Sequence, residues 1–227
     1  QKISVELEKD IDAKKKFKYV NILLSYGAID EAIDAYKEIV TDPHVGQSVI
    51  HFLKIAKLLK SKINCRSLPA IQTRDKGVIY YRNPESDKEL ILFNGQDQSV
   101  GNVPINVFQN FIEDLGINVI YLIDIQRAFY MKGIPELGAD YDETVSSLKL
   151  ILKDMNVNDV YCLGTSGGGY AATVYSLDLQ ARAALTFSTP ANFKEDFRIK
   201  DSRVCKNIMM RLLNKIPEHL FDLRDLI

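Results

Sequence analysis

The segment that most restricts this chain is Asp159-Val160-Tyr161-Cys162-Leu163-Gly164-Thr165-Ser166-Gly167-Gly168-Gly169-Tyr170-Ala171-Ala172. A β-branched, apolar run at Val160 to Leu163 passes into a helical pattern from Gly168 to Leu179, with only glycines and two hydroxyl residues between them. A strand that enters a helix without a loop must turn so sharply that its apex residue is strained. The neighbours two before and two after the apex must then be small. Gly164 and Gly168 hold those two positions around Ser166, and Gly169 lets the helix approach the sheet. The turn exposes the Ser166 hydroxyl at a helix N-terminus and aims the Gly167 N–H where an oxyanion would form. Ser166 is therefore a candidate nucleophile for acyl transfer.

Two other glycine-rich patterns fail against the same residues. A dinucleotide-binding turn needs GxGxxG after the first strand, but Ser166 stands in place of the middle glycine and the segment follows a late strand. A phosphate-binding loop needs Gly-Lys-Ser/Thr, whereas Tyr170 and Ala171 follow the glycines.

Around this turn, short β-branched and aromatic runs predict strands at Val78 to Tyr81, Leu90 to Phe93, Val119 to Ile123, Val160 to Leu163 and Ala184 to Phe187. Helical spacing separates the later ones, at Pro104 to Leu115, Tyr141 to Met155 and Gly168 to Leu179. Because the strands are apolar almost throughout, they read as covered on both faces. The expected architecture is α/β, a mostly parallel sheet flanked by helices.

A different periodicity precedes it. From about Ile11 to Lys62 apolar residues recur every three or four positions, which predicts three short amphipathic helices, with Gly27 between the first two and Thr41-Asp42-Pro43 closing the second. The stretch from Gly27 through Ala32 to Pro43 resembles the second half of a tetratricopeptide repeat. One repeat is visible, so the segment is either the end of a helical array or a plain helical hairpin. The division expected is a helical segment at 1–66, which could grip a protein partner, and an α/β domain at 67–227.

Composition bounds the function. With a net charge of -1 over 227 residues there is no electrostatic case for nucleic acid or an anionic membrane. Cys65, Cys162 and Cys205 are far apart, with no CxxC pair, so neither a disulfide framework nor a zinc site is expected. The start of the chain lacks the order of a signal peptide, and no apolar run reaches the roughly 18 residues of a membrane span. The chain reads as cytoplasmic. It begins with Gln1 rather than methionine and shows no stop signal before Ile227, so it is expected to be a piece of a longer protein, the α/β domain being cut at its C-terminus.

Residues 77 to 190 resemble the first part of an α/β-hydrolase domain. The resemblance rests on the turn at 164–169, on Leu90-Ile91-Leu92-Phe93-Asn94-Gly95-Gln96, and on Leu122-Ile123-Asp124-Ile125-Gln126-Arg127. It implies a second oxyanion donor at the backbone N–H of Gly95 or Gln96. It also implies an Asp124–Arg127 pair that steadies a loop near the site, read as a structural salt bridge. The run Gly167 to Ala172, with Phe187-Ser188-Thr189-Pro190, is similar more narrowly to hydrolase-like proteins found with bacterial surface-polysaccharide synthesis. That similarity implies an acylated glycan as substrate. No metal and no organic cofactor are implied.

A serine needs a histidine to take its proton and a carboxylate to hold that histidine. His44 and His51 precede Ser166 in the helical segment and read as surface or packing residues. His219 alone follows the serine, with Asp196 or Asp201 as possible acids. Either His219 completes the relay, or the histidine lies beyond Ile227, or the domain is a catalytically incomplete scaffold. An acyltransferase using the same serine is a further reading.

Overall fold

The computed structural model describes residues 12–62, 76–95, 99–101, 103–193 and 218–226. Two compact units divide the chain, residues 1–71 with 104–112 and residues 72–103 with 113–227.

The first unit is helical, as the three- and four-residue spacing predicts. Helix α1 is Ala13–Ser25, α2 is Ile29–Ile39 and α3 is Gly46–Lys62. Asp12 caps α1 by accepting the Lys14 N–H, and α2 places Asp30 and Glu31 in its first turn and Lys37 in its last, complementing the helix dipole. The Asp42 carboxylate accepts the N–H groups of His44 and Val45, at 2.8 and 3.3 Å, which turns the chain ahead of α3. Leu24, Ala32, Tyr36, Val49, Ala56 and Leu59 are buried in this unit. Phe17 meets Phe52 edge-on at 5.3 Å between ring centres. The Tyr36 hydroxyl, drawn into this core, donates to Asn21 at 2.5 Å, satisfying a group whose burial would otherwise be costly. A fourth helix, α4 at Ile105–Ile112, also packs with α1 and α3, although in sequence it lies between two strands of the sheet. The expected helix at 104–115 thus splits into α4 and a 3-10 turn at Glu113–Leu115.

The second unit is α/β. Strands β1 (Val78–Tyr81), β2 (Lys88–Phe93), β3 (Asn118–Leu122), β4 (Asp159–Thr165) and β5 (Ala183–Phe187) form one sheet in the order β1-β3-β2-β4-β5. Only the β1–β3 pair is antiparallel. The sheet is therefore mostly parallel, and helices α5 (Tyr141–Asp154) and α6 (Gly167–Asp178) flank it. Their apolar faces close a core with Ile91, Phe93, Ile120, Leu122 and Cys162. Asp140 caps α5 through the Glu143 N–H, and the Glu143 carboxylate returns to the Ala139 N–H. Burying a ring such as Phe93, which packs 5.3 Å from Tyr130 and 5.0 Å from Tyr175, contributes about 2–3 kcal/mol.

Burial on both faces holds for β2 and β3, whose apolar residues are all buried, but not for β5. There Leu185 and Phe187 are 55% and 51% exposed, because β5 is an edge strand that pairs only with β4 among the described residues. No described helix is long and apolar enough to cross a membrane.

Candidate functional site

Central strand β2 lies between β3 and β4, so the turns leaving these three strands at their C-terminal ends converge. Such ends are where open parallel sheets carry their sites. The turn after β4 has one residue. Ser166 caps α6 at φ 54°, ψ -122°, a conformation that costs a residue other than glycine about 1–3 kcal/mol. Its N–H donates to the Phe187 carbonyl at 2.8 Å, and its own carbonyl accepts the Gly169 and Tyr170 N–H groups at 3.0 and 3.3 Å. These bonds hold the strained backbone between β5 and the first turn of α6. The residue itself is half-buried.

The glycines around it are required by contact as well as by conformation. A Cβ on Gly164 would overlap the Gly168 carbonyl, and one on Gly168 would overlap the carbonyl oxygens of Phe93 and Asn94. The elbow is therefore wedged directly against the end of β2. A Cβ on Gly169 would strike the Thr189 hydroxyl, which would have to rotate away.

Of the expected oxyanion donors, Gly167 stands as the first residue of α6, and its N–H meets no acceptor among the described residues. A side chain there would lie 3.0 Å from the Phe129 ring. Gly95 is committed elsewhere: its N–H donates to the Ser99 carbonyl at 2.9 Å, because the chain turns back on itself after β2. Gln96 lies outside the described residues. The loop is tied to the elbow at another point, where the Gly101 N–H donates to Thr165 Oγ1 at 3.1 Å.

The expected Asp124–Arg127 salt bridge does not form. Asp124 is buried; one carboxylate oxygen accepts the Tyr130 N–H at 3.1 Å and the other has no hydrogen-bond partner among the described residues, while the backbone N–H groups of Arg127, Ala128 and Phe129 lie nearby without bonding it. Arg127 is exposed and joins no ion pair among the described residues. It has a positive φ of 50°, and its N–H donates to the Asp124 backbone carbonyl at 3.1 Å. Burial pushes the Asp124 carboxyl above the usual range, against the opposing pull of these N–H groups.

The histidines are dispersed. His44 and His51 belong to the helical unit and are exposed. His219 lies in the 3-10 turn Glu218–Phe221, and its side chain is outside what the structure describes. Its neighbour Leu220 presents its carbonyl to the Tyr170 hydroxyl in the first turn of α6, and the Phe193 N–H donates to Phe221 O at 2.8 Å. The chain around His219 is thus anchored to the elbow helix. Asp196 and Asp201 lie outside the described residues. Asp222 is buried and held bidentately by Arg224. No group of three or more His, Cys, Asp or Glu residues stands together as a metal site among the described residues.

Three residues at the site were not anticipated. Phe129 packs on Gly167, Tyr130 donates its hydroxyl to the Asn94 and Leu122 carbonyls at 2.9 and 2.7 Å, and Phe193 closes an aromatic cluster with Phe129 and Tyr170. In sequence, Ala128-Phe129-Tyr130-Met131 reads only as core.

No family model matches the chain, and no curated protein matches it. Among solved structures, ESTFA in its iron-lacking apo form aligns over 86% of this chain and 73% of its own, at 14% identity and a TM-score of 0.34. At that score, fold and function rest on the chain's own residues.

Proposed function

We propose that this chain is a serine acyl hydrolase, with an acylated glycan as its substrate class. The observation that carries the reading is the backbone of Ser166, a serine at φ 54°, ψ -122° capping α6 without using its side chain as the cap. An ordinary helix start would spend the hydroxyl on a backbone N–H and would need no strain. Here the Oγ is left for other work, while the Gly167 N–H beside it lacks a protein acceptor among the described residues.

In the proposed reaction Ser166 Oγ attacks the ester carbonyl carbon and its proton passes to a base, for which His219 is the candidate, oriented by Asp196 or Asp201. The tetrahedral oxyanion is held by the Gly167 N–H. The C–O bond to the alcohol breaks as the base returns the proton to the leaving oxygen, and water then releases the acid by the same steps. An acyltransferase would differ only in passing the acyl group to a sugar hydroxyl.

The test is hydrolysis of p-nitrophenyl acetate and of an O-acetylated oligosaccharide by the chain and by Ser166→Ala. Turnover of both esters that is lost in the variant supports the proposal. Turnover retained by Ser166→Ala rejects Ser166 as nucleophile, and turnover of the aryl ester alone rejects the glycan.

A further inference from the structure

The turn that follows β3 is as unusual as the elbow. Between Asp124 and Met131, Arg127, Phe129 and Tyr130 all have positive φ, at 50°, 55° and 65°, and none is glycine. Each such residue costs about 1–2 kcal/mol, so the surroundings must hold the loop in place. The Asp124 carboxylate contributes from within through one bond, to Tyr130, which is engaged at each of its polar groups. Its N–H donates to Asp124, its carbonyl accepts the Tyr175 hydroxyl at 2.9 Å, and its own hydroxyl reaches two carbonyls.

Those two carbonyls belong to Asn94 and Leu122, the residues at which β2 and β3 give way to their loops. The Asn94 oxygen is also one of the three backbone atoms that a Cβ on Gly168 would overlap. It therefore lies between the Tyr130 hydroxyl on one side and the backbone of the elbow helix on the other. A peptide unit is planar, so an oxygen fixed at Asn94 also fixes the direction of the Gly95 N–H. That N–H closes the turn onto Ser99, two residues before the Gly101 N–H meets Thr165. Next to Tyr130, the Phe129 ring lies against Gly167, the residue whose N–H faces the proposed oxyanion.

We infer that Tyr130 is a positioning residue for the proposed acyl transfer, its hydroxyl fixing the Asn94–Gly95 peptide against the elbow while Phe129 braces Gly167. The inference rests on the reading of Ser166 as nucleophile. Tyr130 touches no reacting atom; it acts through the backbone against which the elbow and its Gly167 donor are held. Alignment of such donors matters most in the transition state, so the effect falls on kcat.

The experiment compares the full chain with Tyr130→Phe and Tyr141→Phe, using p-nitrophenyl acetate kinetics and the rate of inactivation by a fluorophosphonate. Tyr141→Phe is the control, since it removes another partly buried hydroxyl bond, 2.6 Å to Asp178, away from the elbow. The expected result is a loss of about tenfold or more in kcat for Tyr130→Phe with KM unchanged, and a parallel loss in inactivation rate, while Tyr141→Phe stays within about twofold of wild type. A second variant, Phe129→Leu, keeps an apolar side chain and is expected to lower kcat in the same way, so a poorly folding Tyr130→Phe does not decide the matter. If wild type turns over through Ser166 and both variants keep its kcat, or if kcat falls equally in Tyr141→Phe, Tyr130 has no positioning role. A wild type without Ser166-dependent turnover or labelling rejects the hydrolase reading itself and the inference with it.

Discussion

Two turns at the same end of the sheet solve the same problem by opposite means. After β4 the chain makes its turn on glycine: Gly164 and Gly168 remove side chains where backbone meets backbone, and strain is confined to Ser166. After β3 it turns on residues that dislike the conformation, Arg127, Phe129 and Tyr130, and Asp124 holds the turn from both ends, its buried carboxylate accepting the Tyr130 N–H and its backbone carbonyl the Arg127 N–H. The first device is steric and local, while the second is electrostatic and depends on burial. Both press on β2, the first through the Asn94 oxygen and Gly168, the second through the same oxygen and Tyr130.

Gly168→Ala places a methyl group on two carbonyls that cannot retreat without moving β2. The expected loss is about 4 kcal/mol or more in denaturant unfolding. A loss under about 1 kcal/mol would show that the elbow is looser than its contacts imply. Asp124→Ala leaves the buried Tyr130 N–H without its acceptor, with an expected loss of about 1–3 kcal/mol. Asp124→Asn, which keeps an acceptor oxygen, is expected to recover part of that loss, whereas Arg127→Ala is expected to cost little because Arg127 carries no ion pair among the described residues.

The strand beneath both turns carries a pH signature. Glu89 on β2 is fully buried, with no hydrogen-bond partner for either oxygen among the described residues, and burial pushes its carboxyl from 4.5 up to about 8, opposed only by the charge of Arg82. Between those values the folded chain keeps a proton that the unfolded chain has released. Stability therefore falls as pH rises from about 4.5 to about 8 and levels off above it. Thermal unfolding across that range is expected to show the decline in wild type and a flatter profile in Glu89→Gln. The smallest effect expected is a gain: Ser166→Gly relieves the strained apex and is predicted to stabilise the fold by about 1 kcal/mol, measured by Tm, while removing any serine-dependent chemistry.

What was legible in the sequence follows from this contrast. Elements declared by periodicity were readable, including the three helices before Lys62 and all five strands, because their pattern needs only near neighbours. The elbow was readable for the same reason, Gly164 and Gly168 lying two positions from the serine on either side. The loop after β3 was not: the family resemblance implies an Asp124–Arg127 ion pair, whereas the buried carboxylate bonds the Tyr130 N–H and Arg127 stays exposed. Gly95 was named as a donor from its place after β2, but its N–H is taken by Ser99 through a turn that sequence does not announce. Helix α4 alternates with strands in the chain, yet it packs with α1 and α3, a choice of partner that periodicity cannot express. The exposure of Leu185 and Phe187 likewise depends on strand order, since β5 resembles its neighbours in composition and differs from them in lying at the edge.

The measurement that tests the central claim most directly is intact-mass analysis of the chain after treatment with a fluorophosphonate, beside Ser166→Ala. One stoichiometric adduct is expected on the wild type, mapped to Ser166 and absent from the variant. An unlabelled wild type, or an adduct that survives in Ser166→Ala, would contradict it.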